Sequence, residues 1–540
     1  MKKINNSILS AGLALLSLTT FTGCIDETEP TDMATESQIG ESSAAVEAMV
    51  MAMPAFFNNL NMDFYTPNNY HFNFGYGSMI RIRTTMTEPF VTACSQYDWF
   101  SPWAENDGLN QDNARSNFVW TYYYKFIQTA NNVLSAIDPE TTSNEMIGYM
   151  AAAKAFRALA YLDFGQMYEF LPTDVTSGKN ADGNDVTGLT VPIVKEGMTE
   201  ADARNNPRVS KAELVAFIQD DLDFAEANIN KLNNSSKTMP HLDCVYGLKA
   251  RLYMWTGEYA KAQEAAANAI RNSSVAPMTQ QECLNTTTGF NDLTKFMWGA
   301  QLTSEDDCVS TGIINWTSWM VNEQTFGYCG AGTGDYIKID AAAYDRINDT
   351  DFRKLEWKAP EGSPIADKVS FVDKAYGEEM PELASVKFRP NAGEMNAYTI
   401  AAATAYPIMR VEEMYYIQAE AAAHQNAEQG KSLLEAFMKT RDPQYTCKAT
   451  SQEDIIEEIY FQKSIELWGE GISFFDLKRL NYSVTRGYPG TNHEPAARFN
   501  TNGRPAWTNF LFYRTEAQNN TGVAGWNNPD PTGLYTPWIE

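Results

Sequence analysis

The sequence predicts a mostly α-helical chain. Tetratricopeptide-like pairs of helices serve as its scaffold, with long irregular loops and few short strands. Three observations predict this. Residues 406–480 read YPIMRVEEMYYIQAEAAAH, a loop, then EDIIEEIYFQKSIELWGEGISFFDLKRL, which writes two long amphipathic helices and a short third. Residues 246–270 place small residues on both sides of Gly257, a helix–turn–helix pattern. Residues 61–117 and 272–405 lack helical periodicity over most of their length and are dense in aromatic, amide and glycine residues.

Composition sets the limits. At 540 residues and 44% hydrophobic, the chain can bury a sizeable core. A net charge of −27 repels a phosphate backbone, which excludes nucleic acid as partner. The N-terminus reads as an address. Met1-Lys2-Lys3 is basic, 8–21 is an apolar run too short to span a bilayer, and Phe21-Thr22-Gly23-Cys24 resembles a bacterial lipobox. On this reading 1–23 is a signal peptide and Cys24 carries the lipid. Residues 24–35, with Asp26, Glu27 and Glu29, form an acidic flexible tether to one domain over 36–540.

Taken in order, 36–60 reads as a first helix that Pro54 bends or ends. After the first aromatic-rich stretch, 118–137 and 144–171 are partner helices, and 173–200 is a loop with a strand-like 189–194. Asn180, Asp182 and Asn184 mimic a calcium loop. Asp185 stands where glycine is required and the twelfth-position glutamate is missing, so the segment reads as a turn. Ser210 caps the next helix with Glu213 three residues on, a capping box, and Val215, Ile218, Leu222 and Ala225 form its stripe. Ala250, Trp255-Thr256-Gly257-Glu258-Tyr259 and Ala265 then resemble a tetratricopeptide unit, with Gly257 at the turn.

In the first C-terminal helix Met409, Met414, Ile417 and Ala421 share a face, and Arg410 stands three residues before Glu413 as a helical ion pair. In the second, Ile455, Ile459, Ile465 and Trp468 mark the buried stripe. Gly469 and Gly471 end it, and a short segment from Phe474 carries Asp476, Lys478 and Arg479. The charged residues here read as internal ion pairs tying helices together.

This arrangement resembles the SusD/RagB family of surface lipoproteins. Pro407, Arg410, Glu413, Ala419, Glu420 and Ala421 match the first part of its pattern, and Glu466, Leu467, Glu470, Gly471, Asp476, Leu477 and Arg479 the second. Ala130-Asn131 and Arg157, Ala158 and Tyr161 match earlier helices. Departures are Gln462-Lys463 for Glu-Arg and Ser473 for Arg, which bear on the ion pairs expected around this core. The resemblance implies a scaffold over about 36–60, 118–271 and 406–480 and ligand-face loops over 61–117 and 272–405. It also implies a lipid-anchored place on the extracellular side of the outer membrane. There the chain would capture glycan and deliver it to a SusC-like TonB-dependent transporter, without catalysis or cofactor.

The candidate site residues follow from sugar chemistry: flat rings meet the C–H face of a pyranose, while amides, acids and guanidinium meet its hydroxyls. Aromatics make up 12% of the chain. Tyr97, Asp98, Trp99, Trp103 and Asn106 interleave these types on one loop with Arg81 upstream, and Trp298, Trp316, Trp319 and Tyr336 offer a second platform. Trp99 and Trp103 lead this set. Four scattered histidines outside any H-E-x-x-H give metal hydrolysis no support, GAGTGDY at 330–336 lacks the Gly-Lys-Ser/Thr of a phosphate loop, and no G-x-S-x-G occurs. Six cysteines besides Cys24 leave two readings open, a pairing among Cys283, Cys308 and Cys329 or buried free thiols. Two alternatives stand beside glycan capture. A pocket of charged groups would favour peptides or glycopeptides, and a glycoside hydrolase would need two carboxylates at fixed separation.

Overall fold

The computed structural model describes residues 43–60, 70–93, 98–138 and 143–540. The leader, Cys24, the tether, Cys94 and Tyr97 lie outside the described residues.

The scaffold begins with α1 (Ser43–Phe56), which contains Pro54 two residues before its end. Helix α2 (Tyr76–Thr85) falls inside the stretch read as irregular, and all ten of its residues are buried. A helix surrounded on every side has no polar face, so it shows no amphipathic stripe in sequence. Strand β1 (Phe90–Val91) follows. Helices α3 (Ala114–Ala136) and α4 (Asn144–Tyr168) pack against each other and against α1. Asn113 and Ser143 cap them by accepting from the N–H groups of Arg115 and Met146. α5 (Lys211–Asn228) carries the expected Ser210–Glu213 capping box and packs on α4.

Next, α6 (Leu242–Thr256) and α7 (Tyr259–Asn272) form the tetratricopeptide-like hairpin, broken where Gly257 takes φ +75°. Strands β2 (Trp298–Gln301) and β3 (Lys338–Ile339) and helix α8 (Ala341–Arg346) lie in the second loop region. Strand β4 (Ala405–Met409) leads into α9 (Val411–Gln425), α10 (Ala427–Met438), α11 (Gln452–Glu466) and α12 (Ser473–Leu480). Residues 406–409 are therefore strand rather than helix. The stretch read as loop holds α10, which Asn426 caps by accepting from the Gln429 N–H.

Short antiparallel pairs fasten the loops to the scaffold. Phe90 pairs with Ile339, and Trp298 with Met409 beside a bulge. The strand-like 189–194 makes one bridge, Leu189 to Ser210. One large core runs through α1–α7, the loops and β4. A second gathers Tyr416, Leu434, Phe437, Ile455 and Ile459 between α9, α10 and α11. A third gathers Leu355, Ile365, Val369, Met380 and Val386 under the second loop region. The described cysteines Cys244, Cys283, Cys308, Cys329 and Cys447 are free and buried, so the pairing among Cys283, Cys308 and Cys329 does not form.

Buried ion pairs stitch these helices. Arg157 on α4 donates to Asp221 on α5 at 2.7 and 2.8 Å, and Arg251 on α6 donates to Glu413 on α9 at 2.8 and 2.6 Å. Arg83 on α2 reaches Asp163 on α4 at 2.6 Å. The expected Arg410–Glu413 pair is not made. Arg410 sits in extended backbone at the N-cap of α9, so it is not one helical turn from Glu413. It turns instead to Glu412, Glu466 and Glu470 at 3.0, 3.3 and 3.1 Å.

Candidate functional site

The first aromatic loop is a pedestal with one presented ring. Asp98 anchors it. Its Oδ1 accepts the Phe100 N–H at 2.8 Å, its Oδ2 accepts from the Thr92 hydroxyl, and Arg81 lies 4.0 Å away while donating to Thr92 at 3.2 Å. The Arg81 guanidinium also rests over Phe90 and Phe100, at 4.5 and 5.5 Å from their centroids. Trp103 and Asn106 are buried: Trp103 meets Phe72 edge-on at 5.4 Å, and Asn106 donates to the Pro531 carbonyl at 2.7 Å.

Held on this base, half-buried Trp99 stacks on His71 at 4.9 Å with 28° between the rings, and meets Tyr70 edge-on at 6.2 Å. His71 Nδ1 bonds the Tyr328 hydroxyl, and burial lowers the His71 pKa, which favours the neutral ring. Tyr328 in turn stacks flat on buried Trp319 at 4.0 Å, and the Trp319 indole N–H donates to the His71 carbonyl at 3.1 Å.

A second platform adjoins the first through residues 324–328. Phe326 stands two residues from Tyr328, so their Cα atoms are within about 7 Å. Its ring meets that of Tyr398 at 6.2 Å. Tyr398 is 39% exposed, Ile400 48% and Ile313 37%, in a protein whose other large apolar side chains are mostly buried. The Gly312 position lies against the Tyr398 ring, where an added Cβ would come within 3.3 Å. Exposed Thr325 donates to the Asn396 side chain at 2.9 Å, so hydroxyl and amide groups rim the ring. Tyr376 pins the glycine-rich turn behind it, accepting the Ala331 N–H at 2.8 Å and donating to the Asn322 carbonyl at 2.8 Å.

The expected site residues therefore divide. Trp99 and Tyr336 are half-buried near the surface. Arg81, Asp98, Trp103, Asn106, Trp298, Trp316 and Trp319 are buried, which corrects the expectation that they offer open faces. Their partners explain it. Trp298 packs edge-on against Phe156 at 5.0 Å and donates to the Thr238 carbonyl, while Trp316 stacks on Tyr406 at 4.8 Å. Large rings gain the most from burial, and this loop region needs its own core. Exposed Tyr398 and half-buried Tyr70, His71 and Phe326 are the neighbours that residue type alone did not single out. Tyr398 follows the turn-forming NAGEMNA run, which is the sequence sign of a loop tip.

Over the third core lies an open cavity of about 950 Å³ lined by charges of both signs, among them Lys358, Asp367, Lys374, Glu378 and Glu382, with Phe371. The carboxylates of the C-terminal helices play another part. Glu466 accepts from Arg441 at 3.1 and 3.0 Å, from Arg410 at 3.3 Å and from Arg353 at 3.4 Å, all buried. Burial raises its pKa, and the three guanidiniums overcome that and hold it well below the carboxylate range. Two of the three residues that depart from the family pattern, Gln462 and Lys463, join these buried contacts. Gln462 accepts from Arg353, and Lys463 pairs with Asp476 at 2.8 Å. Among the described residues no cluster of His, Cys, Asp and Glu is arranged to hold a metal ion, and no helix is long and apolar enough to cross a membrane.

The architecture defines the class: paired helices form a scaffold that carries a loop-built face of exposed and half-buried rings. Two family models match the sequence. The model described as the SusD family covers 377–530, and the one described as starch-binding associating with outer membrane covers 31–254. The chain belongs to the SusD-like family. Three solved structures share its fold. A SusD-like carbohydrate binding protein from Bacteroides vulgatus is 21% identical with a TM-score of 0.68, over 90% of this chain and 98% of that one. A SusD superfamily protein from Bacteroides thetaiotaomicron is 17% identical with a TM-score of 0.66, over 88% and 98%. A putative sugar binding protein from Bacteroides vulgatus is 18% identical with a TM-score of 0.65, over 89% and 97%. No curated protein matches the chain.

Proposed function

We propose that this chain captures glycan at the outer membrane through the face built by Trp99, Tyr70, His71, Phe326 and Tyr398, and passes it to a SusC-like TonB-dependent transporter without cleaving it. The observation that carries the reading is the exposure of Tyr398 and the half-exposure of Trp99 beside amide and hydroxyl groups. Rings left open to water on a rigid base are matched to the C–H face of a sugar, and stacking there costs little ordering entropy. The carbohydrate-binding description of the first structural relative and the starch-binding description of the family model support the same ligand class. Lipid on Cys24 would hold the chain at the membrane surface.

The test is affinity electrophoresis against plant, host and microbial polysaccharides, with reducing ends assayed in the same samples. One polysaccharide should retard the protein, Trp99→Ala and Tyr398→Ala should abolish the retardation, and no new reducing ends should appear. New reducing ends refute the non-catalytic reading. Metabolic labelling with a palmitate analogue, lost in Cys24→Ala, tests the anchor. A second reading is capture of peptides or glycopeptides. The 950 Å³ cavity favours it, because lysines and carboxylates together suit a zwitterionic chain. Peptide binding that is lost on Lys374→Ala and kept on Tyr398→Ala would select it.

A further inference from the structure

A separate cavity of about 390 Å³ shares no residue with the ring face or the charged cavity. Glu88, α8, α11 and the Tyr482–Ser483 segment enclose it, and Arg346, Glu457, Tyr460, Phe461 and Tyr482 contribute walls. Its size is within the range that holds a small molecule.

The chemistry of this cavity is unbalanced. Glu88 accepts the Thr485 N–H through Oε2 at 2.6 Å, while its Oε1 has no partner among the described residues. Arg346, the basic group on the wall, is already committed. It pairs with Glu458 at 2.7 Å and Glu457 at 3.7 Å, and its guanidinium lies 3.9 Å over Phe461. The rings of Tyr460 and Tyr482 lean together with centroids 4.9 Å apart, and neither hydroxyl has a protein partner among the described residues. A carboxyl lining the same recess as two tyrosine rings, with the local cation already paired, lacks one thing: a positive charge.

We propose that this cavity binds a small organic cation, a primary ammonium on a short apolar stem, with the ammonium on Glu88 and the stem against Tyr460 and Tyr482. The groups around Glu88 agree. Asp340 raises its proton affinity further, Arg346 and Arg486 lower it, and burial is the largest influence, leaving its pKa at about 7. Arg486 is spent on the carbonyls of Ala104, Thr85 and Thr87. Burial drives the pKa of His493 well down, so this imidazole, bonded to the Glu88 carbonyl and 3.5 Å from Asp340, is uncharged near neutrality. A bound ammonium therefore displaces a proton from Glu88 and faces no competing free cation.

Calorimetric titration of the full chain with n-butylammonium tests this, with n-butanol as the neutral match. Saturable binding of the ammonium alone is expected, about tenfold tighter at pH 8 than at pH 6 because Glu88 ionises between them. Glu88→Gln should remove the binding and its pH dependence. Tyr482→Ala, a change at a half-buried wall, should weaken binding with the melting temperature unchanged, and it decides the matter if Glu88→Gln does not fold. Three results overturn the proposal: equal binding of butanol, ammonium affinity equal at the two pH values, or no saturable binding up to about 10 mM.

Discussion

Replacing Glu466 with glutamine keeps the side-chain shape and removes one buried charge. The wild-type carboxylate accepts four hydrogen bonds from three guanidiniums. Each charge-assisted bond contributes about 1.5–3 kcal/mol. A simple sum overstates the loss, because each arginine keeps another carboxylate. Arg353 keeps Asp351 at 2.6 Å, Arg410 keeps Glu412 and Glu470 at 3.0 and 3.1 Å, and Arg441 keeps Glu412 at 3.5 Å. Glutamine also retains one acceptor oxygen and turns an amide donor toward Arg441 or Arg410. Breaking a buried ion pair from one side costs about 3–5 kcal/mol, and that range applies here. The assay is thermal unfolding at one fixed scan rate, paired with polysaccharide retardation at a temperature where both proteins are folded. A fall in melting temperature with retardation unchanged is expected. A variant as stable as wild type to within about 1 kcal/mol would refute the reasoning that this network ties the helices together.

Three further outcomes follow from the same structure. Trp103→Ala should cost about 3–5 kcal/mol, because the ring is 1% exposed, whereas Trp99→Ala should leave melting nearly unchanged and abolish retardation; calorimetric melting of both variants separates pedestal from platform. Gly471→Ala should cost about 2 kcal/mol or more, since φ is +74° and the new Cβ would stand 3.0 Å from Ile80, while Gly257→Ala, at φ +75° in open space, should cost about 1 kcal/mol; denaturant midpoints read both. Acid should destabilise the fold through Glu420. Burial raises its pKa, but Arg479 and His424 more than offset this and hold it at about 2, below the ordinary 4.5. Its contribution is thus complete above about pH 5 and is lost as pH falls towards 2. Arg479→Met should flatten that acid limb in a melting series across pH.

The helical scaffold was legible because its signals are local. The Ser210–Glu213 box, the Gly257 turn, the Gly469–Gly471 stop and the Ile455–Ile459–Ile465 stripe each sit within about three turns of helix, and each is present, although α11 ends at Glu466 and leaves Trp468 outside it. The family pattern of Arg410, Glu466 and Glu470 marked internal ion pairs, and these are internal. The partners were another matter. Arg410 passes over Glu413 three residues away for Glu466 and Glu470, because the backbone at 410 is extended and the neighbouring helix is closer in space than the next turn.

The aromatic loops mark the boundary between what sequence and tertiary structure decide. Sequence alone determined that rings, amides and acids would gather there, and composition pointed to sugar-binding chemistry. It did not determine which rings stay open. Trp99 and Trp103 are four residues apart on one loop with equal claims by type, yet one stacks half-buried on His71 and the other lies at 1% exposure against Phe72. Helix α2, fully buried within the same stretch, was hidden for the same reason. Exposure is set by what packs against a side chain from distant parts of the chain. Without a periodic face to divide inside from outside, only the folded arrangement makes that choice.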